Sequence, residues 1–311
     1  MEIIFLGTGG AWGLPEHRCP CATCRHLRAI GEHRTRTSIW VDGPARVLID
    51  PGPDLRAQLM REDLGRPDAV LITHEHGDHF LGLDDLLCYR RNLPAEQWQP
   101  IPVYASQATW AVVEQRFGYL IPTLLEKRIA EPGRDLAGPP FGDRLSGRPV
   151  KTDHGPFPQG SQGYILTDHS GPRPYRLGYT SDMIACADPE GFAGLDALIC
   201  QSHFINEPQV NRANHLSLQN ALGRLQRWQP GRLFLVHISC QDFIPGDEPA
   251  NAMLKKFKPA EPLRDPGGQP YPIPRDQAQW QEVAGRILGD HGLNMECQVA
   301  YDGLRVRLGD A

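Results

Sequence analysis

Residues 73–79 read Thr73-His74-Glu75-His76-Gly77-Asp78-His79. The run before them, Ala69-Val70-Leu71-Ile72, is short and wholly apolar, as a buried strand is. The run after them, Phe80–Arg91, reads as a helix. Side chains alternate along an extended strand end, so His74 and His76 point to one side. Asp78 and His79 then fall at the turn into the helix. Three imidazoles and a carboxylate at this spacing supply two half-sites for borderline divalent metals.

Outward from that stretch, short β-rich runs alternate with helical ones. The strand candidates are Glu2–Leu6, Ser38–Val41, Arg46–Ile49, Ala69–Thr73, Pro102–Ala105, Gly163–Leu166, Arg176–Thr180, Ala197–Cys200, Leu233–Ile238, Cys297–Tyr301 and Leu304–Leu308. They are rich in aliphatic and aromatic residues and are bounded by Gly, Pro, Asp or Asn. Beside Phe80–Arg91, helices are predicted at Asp54–Glu62, Gln107–Phe117, Ser217–Trp228 and Asp276–Asp290. In Ser217–Trp228 the residues Leu218, Leu222 and Leu225 recur at three- and four-residue steps and mark one buried face. This order predicts an α/β (α+β) fold, an αββα sandwich of two mixed sheets flanked by helices, as one domain over 1–311.

The segment 245–275 breaks the pattern. It carries Pro245, Pro249, Pro259, Pro262, Pro266, Pro270, Pro272 and Pro274, which excludes regular sheet or a long helix apart from a short piece around Ala250–Phe257. Three readings stand side by side: a lid, an arm for an oligomer, or a surface decoration.

The 311 residues are 40% hydrophobic and 22% charged, enough for a sizeable core and ordinary for a globular protein. A formal net charge of −5 argues against a nucleic-acid partner, which calls for a basic face. The local basic stretch Arg25-His26-Leu27-Arg28 and His33-Arg34-Thr35-Arg36 reads as a solvated loop or one face of a short helix. The first residues lack a signal-peptide pattern, and no apolar run approaches the ~20 residues that span a bilayer. Eight cysteines, three of them between Cys19 and Cys24, fit a reduced compartment, so the expected location is the cytoplasm. A homodimer is the expectation from the general frequency of symmetric pairs.

His-x-His-x-Asp-His after a strand resembles the signature of the metallo-β-lactamase superfamily. Leu6-Gly7-Thr8-Gly9-Gly10 and Leu48-Ile49-Asp50-Pro51-Gly52 resemble its earlier motifs. The resemblance implies three later ligands: His154 in Thr152-Asp153-His154-Gly155, Asp182 closing Gly178-Tyr179-Thr180-Ser181, and His237 in Leu235-Val236-His237-Ile238. It implies one metal on His74, His76, His154 and Asp182, and a second on Asp78, His79, Asp182 and His237. Asp50 is expected to orient a ligand imidazole. Zinc suits this set, and manganese or iron can occupy it.

Cys19-Pro20-Cys21-Ala22-Thr23-Cys24 places three thiols within one loop, a spacing that suits structural zinc, which needs a fourth ligand. The same Cys-x-Cys-x-x-Cys is similar to a narrower branch that holds the cyclic phosphodiesterase of carbon–phosphorus lyase pathways and the pyrroloquinoline-quinone biosynthesis protein B. In the phosphodiesterase the fourth ligand is a histidine three residues after the last active-site histidine. Here Cys240 stands there, so the resemblance implies an all-cysteine site of Cys19, Cys21, Cys24 and Cys240. The remaining cysteines, Cys88, Cys186, Cys200 and Cys297, are expected mostly in the core.

The resemblance further implies His215, in Asn214-His215-Leu216-Ser217, as general acid, with His203 in Ser202-His203 as the other candidate beside the ligand Asp78. The function expected is hydrolysis of a small or cyclic phosphodiester. Two metals about 3.5–4 Å apart would share a hydroxide, and His215 would protonate the leaving alkoxide. A quinone-cofactor biosynthesis enzyme, a ribonuclease Z-like endonuclease, a thioester or lactone hydrolase and a non-catalytic metal-binding scaffold are the alternatives. Trp12, Trp40, Phe157, Phe204 and Phe243 are candidate pocket walls by nearness to the motifs.

Overall fold

The computed structural model describes residues 1–247 and 257–309. Two seven-stranded sheets lie face to face. The first has β1 (Glu2–Gly7), β2 (Ser38–Asp42), β3 (Arg46–Ile49), β4 (Ala69–Leu71), β5 (Ile101–Ala105) and β6 (Leu125–Ile129), with β14 (Arg305–Arg307) added at its edge in the order β14-β1-β2-β3-β4-β5-β6. The second has β7 (Leu145–Asp153), β8 (Gln162–Asp168), β9 (Tyr175–Tyr179), β10 (Ala185–Cys186), β11 (Ala197–Gln201), β12 (Arg232–Val236) and β13 (Glu296–Val299), in the order β10-β7-β8-β9-β11-β12-β13.

Each sheet is antiparallel on one side and parallel on the other. Pairings from β14 to β3 are antiparallel and those from β3 to β6 parallel. Likewise β10 to β9 are antiparallel and β9 to β13 parallel. Parallel neighbours need a crossover, and helices supply every one except that from β9 to β11, which runs through β10. In the first sheet these are α2 (Leu55–Glu62), α3 (Gly77–Phe80) with α4 (Leu87–Arg91), and α5 (Gln107–Phe117). In the second they are α6 (Leu218–Trp228) and α7 (Gln277–Asp290), while α1 (Ala22–Ile30) follows the first cysteines.

Alternation sorts the strands into layers. Ile3 and Phe5 of β1, Ala69 and Leu71 of β4, Ile199 of β11, and Phe234 and Val236 of β12 meet in the core between the sheets. Their neighbours Ile4, Leu6, Val70 and Ile72 face α2 and α5, where Leu55, Leu59, Trp110 and Val113 cover them. Leu198, Cys200, Leu233 and Leu235 face α6 and α7, covered by Leu218, Leu222, Leu225, Trp280 and Ile287. The expected αββα sandwich is therefore present. Helix starts carry side-chain caps: Ser106, Ser217 and Asp276 accept from Thr109 N, Asn220 N and Gln279 N.

Several boundaries differ from the sequence reading. The helix expected over Phe80–Arg91 is broken into α3, a 3₁₀ turn over Leu83–Leu86 and α4. The cause is a close approach: a Cβ on Gly82 would lie 2.0 Å from the Gly52 carbonyl oxygen, and one on Gly52 2.2 Å from that of Asp78. The two glycines let the loop after β3 pack directly under the histidine motif. Strands expected at Cys297–Tyr301 and Leu304–Leu308 pair only over Glu296–Val299 and Arg305–Arg307. β6, β7, β10 and α1 are not among the elements expected from the sequence. Arg34 is not solvated but buried, donating to Thr8 Oγ1 at 2.8 Å, to the Ala300 carbonyl and to Gln277. Of the scattered cysteines only Cys200 is buried; Cys88 is exposed, and Cys186 and Cys297 are half-buried.

The helical piece expected around Ala250–Phe257 falls on residues outside those described, except Phe257. Beyond it the chain lies against the loop that follows β11. Ala260 N donates to the Glu207 carbonyl and Leu263 N to Asn206 Oδ1, while Phe257 packs on Phe204 with ring centres 5.4 Å apart. No helix among the described residues is long and apolar enough to cross a membrane.

Candidate active site

The parallel strands all end on the same rim, and open α/β sheets build their sites there. Three residues at those ends, Asp50 after β3, Ser181 after β9 and His237 after β12, have φ of 55°, 58° and 60°. A non-glycine residue holds this left-handed conformation only when its surroundings over-determine it, and such residues cluster at functional sites. Here the reversal turns Asp50 and His237 inward and delivers Asp182.

Two adjoining donor sets result, linked by two further ones, His154-Asp182-His215 and His203-His215-His237. His74, His76 and His154 form one, with His154 Nε2 3.2 Å from His76 Nδ1. Asp78, His79, Asp182 and His237 form the other. Asp182 Oδ2 lies between them, 3.0 Å from His237 Nε2, 3.4 Å from His79 Nε2 and 3.8 Å from His154 Nε2. Asp78 Oδ2 stands 3.2 Å from His79 Nε2 and 3.8 Å from His237 Nε2. All seven positions expected from the sequence thus converge.

Hydrogen bonds from behind aim the imidazoles. Asp50 is fully buried and accepts from Thr73 N, Thr73 Oγ1, His79 Nδ1 and Tyr179 OH at 2.9, 2.9, 2.8 and 3.3 Å. Because the Thr73 hydroxyl spends its hydrogen on Asp50, His74 Nδ1 must donate to Thr73 Oγ1, 3.0 Å away. His154 Nδ1 donates to the Asn214 carbonyl at 2.8 Å. Each of these rings therefore turns an Nε2 lone pair into the site. His74 Nε2, His79 Nε2, His237 Nε2 and Asp182 Oδ1 are all buried without a hydrogen-bond partner. Orphaned nitrogen and oxygen donors at this density are costly unless a cation completes them, so the residues fit divalent metals.

The electrostatics agree. For Asp182 burial would raise the carboxyl, but His237, His79 and His215 outweigh it and hold it well below the usual range. Burial is also the largest influence on His237, yet Asp182 and Asp78 lift that imidazole to about 9. Burial, reinforced by His237, pushes His203 down to about 3.

His203 and His215 stack beside this centre with ring centroids 4.0 Å apart. Both nitrogens of His203 are engaged: Nδ1 is 3.2 Å from His237 Nδ1, and Nε2 is 3.0 Å from Gln241 Oε1. His215 Nδ1 meets Gln201 Nε2 at 2.7 Å and lies 3.6 Å from Asp182 Oδ2. Its Nε2 makes no hydrogen bond among the described residues, and a tenth of the side chain is exposed.

A second cluster lies beside the first. Cys19, Cys21, Cys24 and Cys240 are buried with their sulfurs all within 4.8 Å of one another, and Cys19 Sγ is 4.0 Å from Cys240 Sγ. Zn–S bonds of about 2.3 Å put tetrahedral thiolates roughly 3.8 Å apart, so the four fit one zinc. Cys24 N donates to Cys21 Sγ and Glu16 N to Cys24 Sγ, as N–H groups do around thiolate sites. The motif Leu6–Gly10 joins the two clusters. Gly10 N donates to the Ile238 carbonyl and Ile238 N to that of Thr8, while a Cβ on Gly10 would sit 3.1 Å from His203 Cε1.

Among the aromatic candidates, Trp40 and Phe204 are core residues rather than pocket walls, because alternation turns Trp40 under α2 and Phe204 packs on Phe257. Trp12 and Phe157 are 66% and 80% exposed. Sequence reasoning missed Gln201, and it missed Glu75, whose carboxylate accepts from Gln159 N at 2.6 Å and Thr109 Oγ1 at 3.0 Å and so clamps the loop after His154. The only signal for Gln201 was a polar residue closing an apolar strand.

The chain is 40% identical over 252 residues to an octanoyltransferase of Porphyromonas gingivalis, a match covering 77% of this chain and 46% of that protein. It spans less than half the length of the curated relatives it matches. Among solved structures it is similar to a diphosphatase of the PhnP family, with a TM-score of 0.69 and 23% identity over 99% of this chain and 98% of that one. It is also similar to Zn²⁺-bound PqqB from Methylobacterium extorquens, with a TM-score of 0.68 and 20% identity over 99% and 100%. At these identities the two structures speak for the fold alone. The family model for a β-lactamase superfamily domain matches residues 45–238. With more than half of the chain matched, the protein belongs to the β-lactamase superfamily and has the metallo-β-lactamase hydrolase fold.

Proposed function

We propose that this protein hydrolyses a small phosphodiester at the rim of the two sheets. The observation that carries the reading is Asp182 Oδ2 lying within 3.0–3.8 Å of His237, His79 and His154, which puts one carboxylate in reach of both donor sets. His74, His76, His154 and Asp182 would hold one divalent ion, and Asp78, His79, Asp182 and His237 a second. Such a pair supplies Lewis acidity toward phosphoryl oxygens and brings water toward a pKa of ~7. The chain's own residues do the rest. Asp50 and Thr73 keep His79 and His74 in the tautomer with a free Nε2. His203, with both nitrogens occupied, positions His237, and His215 keeps one nitrogen open to a substrate oxygen.

A second reading is hydrolysis of a medium-chain acyl ester or thioester. Its support is the 40% identity to an octanoyltransferase, and the site activates water without choosing the electrophile. One assay separates the two: metal-analysed protein on bis(p-nitrophenyl) phosphate beside p-nitrophenyl octanoate. Turnover of the diester alone is the expected result. Turnover of the ester alone moves the assignment to acyl chemistry, and turnover of neither by fully metallated protein sinks both.

The support of Asp50 has its own consequence. Asp50→Asn keeps the shape but turns one acceptor into a donor facing Thr73 or His79. Metal titration is expected to show roughly 10–100-fold weaker binding, the usual loss when a partner behind a ligand is removed. Unchanged affinity would show that the four hydrogen bonds to Asp50 do not govern the site.

A further inference from the structure

Gln201 closes β11 with its side chain fully buried, and its amide can sit only one way round. Oε1 is 3.0 Å from Met183 N and 3.0 Å from Leu216 N. Main-chain N–H groups only donate, so the oxygen must be at that end. The other end, Nε2, is 2.7 Å from His215 Nδ1, and an amide nitrogen likewise only donates. His215 Nδ1 is therefore an acceptor, and the ring's one proton belongs on Nε2.

We infer that Gln201 is a positioning residue that locks His215 as the Nε2–H tautomer, so that His215 meets the substrate as a neutral hydrogen-bond donor and not as an imidazolium acid. The catalytic part rests on the phosphodiesterase reading above; the tautomer does not.

Competing contacts are weaker. Asp182 Oδ2 would draw a proton to Nδ1, but at 3.6 Å it is beyond hydrogen-bond distance, whereas the amide is at 2.7 Å. Gln201 Nε2 is also 3.2 Å from His237 Nδ1, a longer contact than that to His215. His237 has its own acceptor in His203 Nδ1 at 3.2 Å, and His203 passes its remaining N–H to Gln241. An imidazolium at His215 would set Nδ1–H against the amide hydrogens across 2.7 Å. The placement is also economical. Met183 follows Asp182 and Leu216 follows His215, so one amide ties the loop of the shared carboxylate to the loop of the catalytic histidine.

The proton balance closes without His215 giving up a proton. The P–O bond to the leaving group breaks as the bond from water forms, and the proton lost by that water is the one the alkoxide finally gains. His215 Nε2–H stabilises charge on a substrate oxygen during the displacement and keeps its proton.

The test uses zinc-loaded full-length protein with ¹⁵N-labelled histidine, reading tautomers from long-range ¹H–¹⁵N spectra, His215 being assigned with His215→Ala. The expected signature is one protonated nitrogen, Nε2, at neutral pH. A ring protonated on Nδ1, or on both nitrogens, overturns the inference. Gln201→Glu keeps an acceptor for Met183 N and Leu216 N but offers His215 an acceptor in place of a donor. It is expected to move the proton to Nδ1 and lower kcat on bis(p-nitrophenyl) phosphate roughly 100–1,000-fold, as loss of a donor to developing charge does, with KM little changed. A variant with the native tautomer and native kcat also overturns it. Should the native protein hydrolyse no phosphodiester, the functional reading fails alone, because the spectrum still decides the tautomer.

Discussion

Asp182→Ala is expected to leave a folded protein with hydrolysis reduced by more than about 100-fold and with at least one equivalent of active-site metal lost. Asp182 is the residue whose removal reaches both donor sets. Its Oδ2 sits 3.0 Å from His237 Nε2 and 3.4 Å from His79 Nε2 on one side and 3.8 Å from His154 Nε2 on the other. Removing a group that only supports a ligand already costs about 10–100-fold, and removing a carboxylate common to two sites costs more. Asp182→Asn is the sharper control. It preserves the shape of the loop but withdraws the negative charge that offsets two cations and the lone pair that a second one needs. Metal analysis beside turnover reads both effects. An Asp182→Ala protein with its full metal complement and native turnover would overturn the shared-carboxylate reading.

The same geometry explains why this site was legible in the sequence. His74, His76, Asp78 and His79 are brought together by local chain direction alone, a strand end running into a helix start, and a spacing rule sees that. His154, Asp182 and His237 lie far apart in sequence, and the resemblance to the metallo-β-lactamase superfamily placed them; the strand that carries His154, β7, is not among those the sequence reading offers. Gln201 and Glu75 were not legible, because their roles depend on which loops meet across the rim. Nothing local tells that Gln201 will face Met183, Leu216 and His215 together. Arg34 misled for the same reason. It reads as one charge in a basic stretch, and only the arrival of Ala300 and Gln277 from the other end of the chain makes a buried guanidinium tolerable. The break in the predicted helix at Gly82 is likewise set by Gly52, thirty positions earlier, which no periodicity records. Proximity in sequence overreached in one place: Trp40 and Phe204 are near motifs but turn into the core.

Cys240→Ala is expected to empty the thiol site, lower the thermal midpoint and reduce hydrolysis, whereas Cys240→His keeps the metal. Three thiols remain in the first variant, too few to close a tetrahedral zinc site, while an imidazole is a competent fourth ligand. The loss of stability should be a few kcal/mol, a fraction of the ~10–16 kcal/mol that structural zinc contributes to peptides it folds outright, because this chain also has three hydrophobic layers to hold it. The loss of activity follows from position. Cys240 is three residues beyond His237, and the intervening Ile238 is hydrogen-bonded to Thr8 and Gly10 of the N-terminal loop. That loop leads on to Cys19, Cys21 and Cys24, and its Gly10 abuts His203. Releasing the thiol end therefore frees the left-handed turn at His237, whose φ of 60° needs that support. Zinc content, thermal midpoint and turnover measured on both variants separate the roles. Cys240→Ala with native zinc and midpoint would show that the four sulfurs do not share an ion. Zinc lost with turnover intact would show that the thiol site does not hold His237 in place.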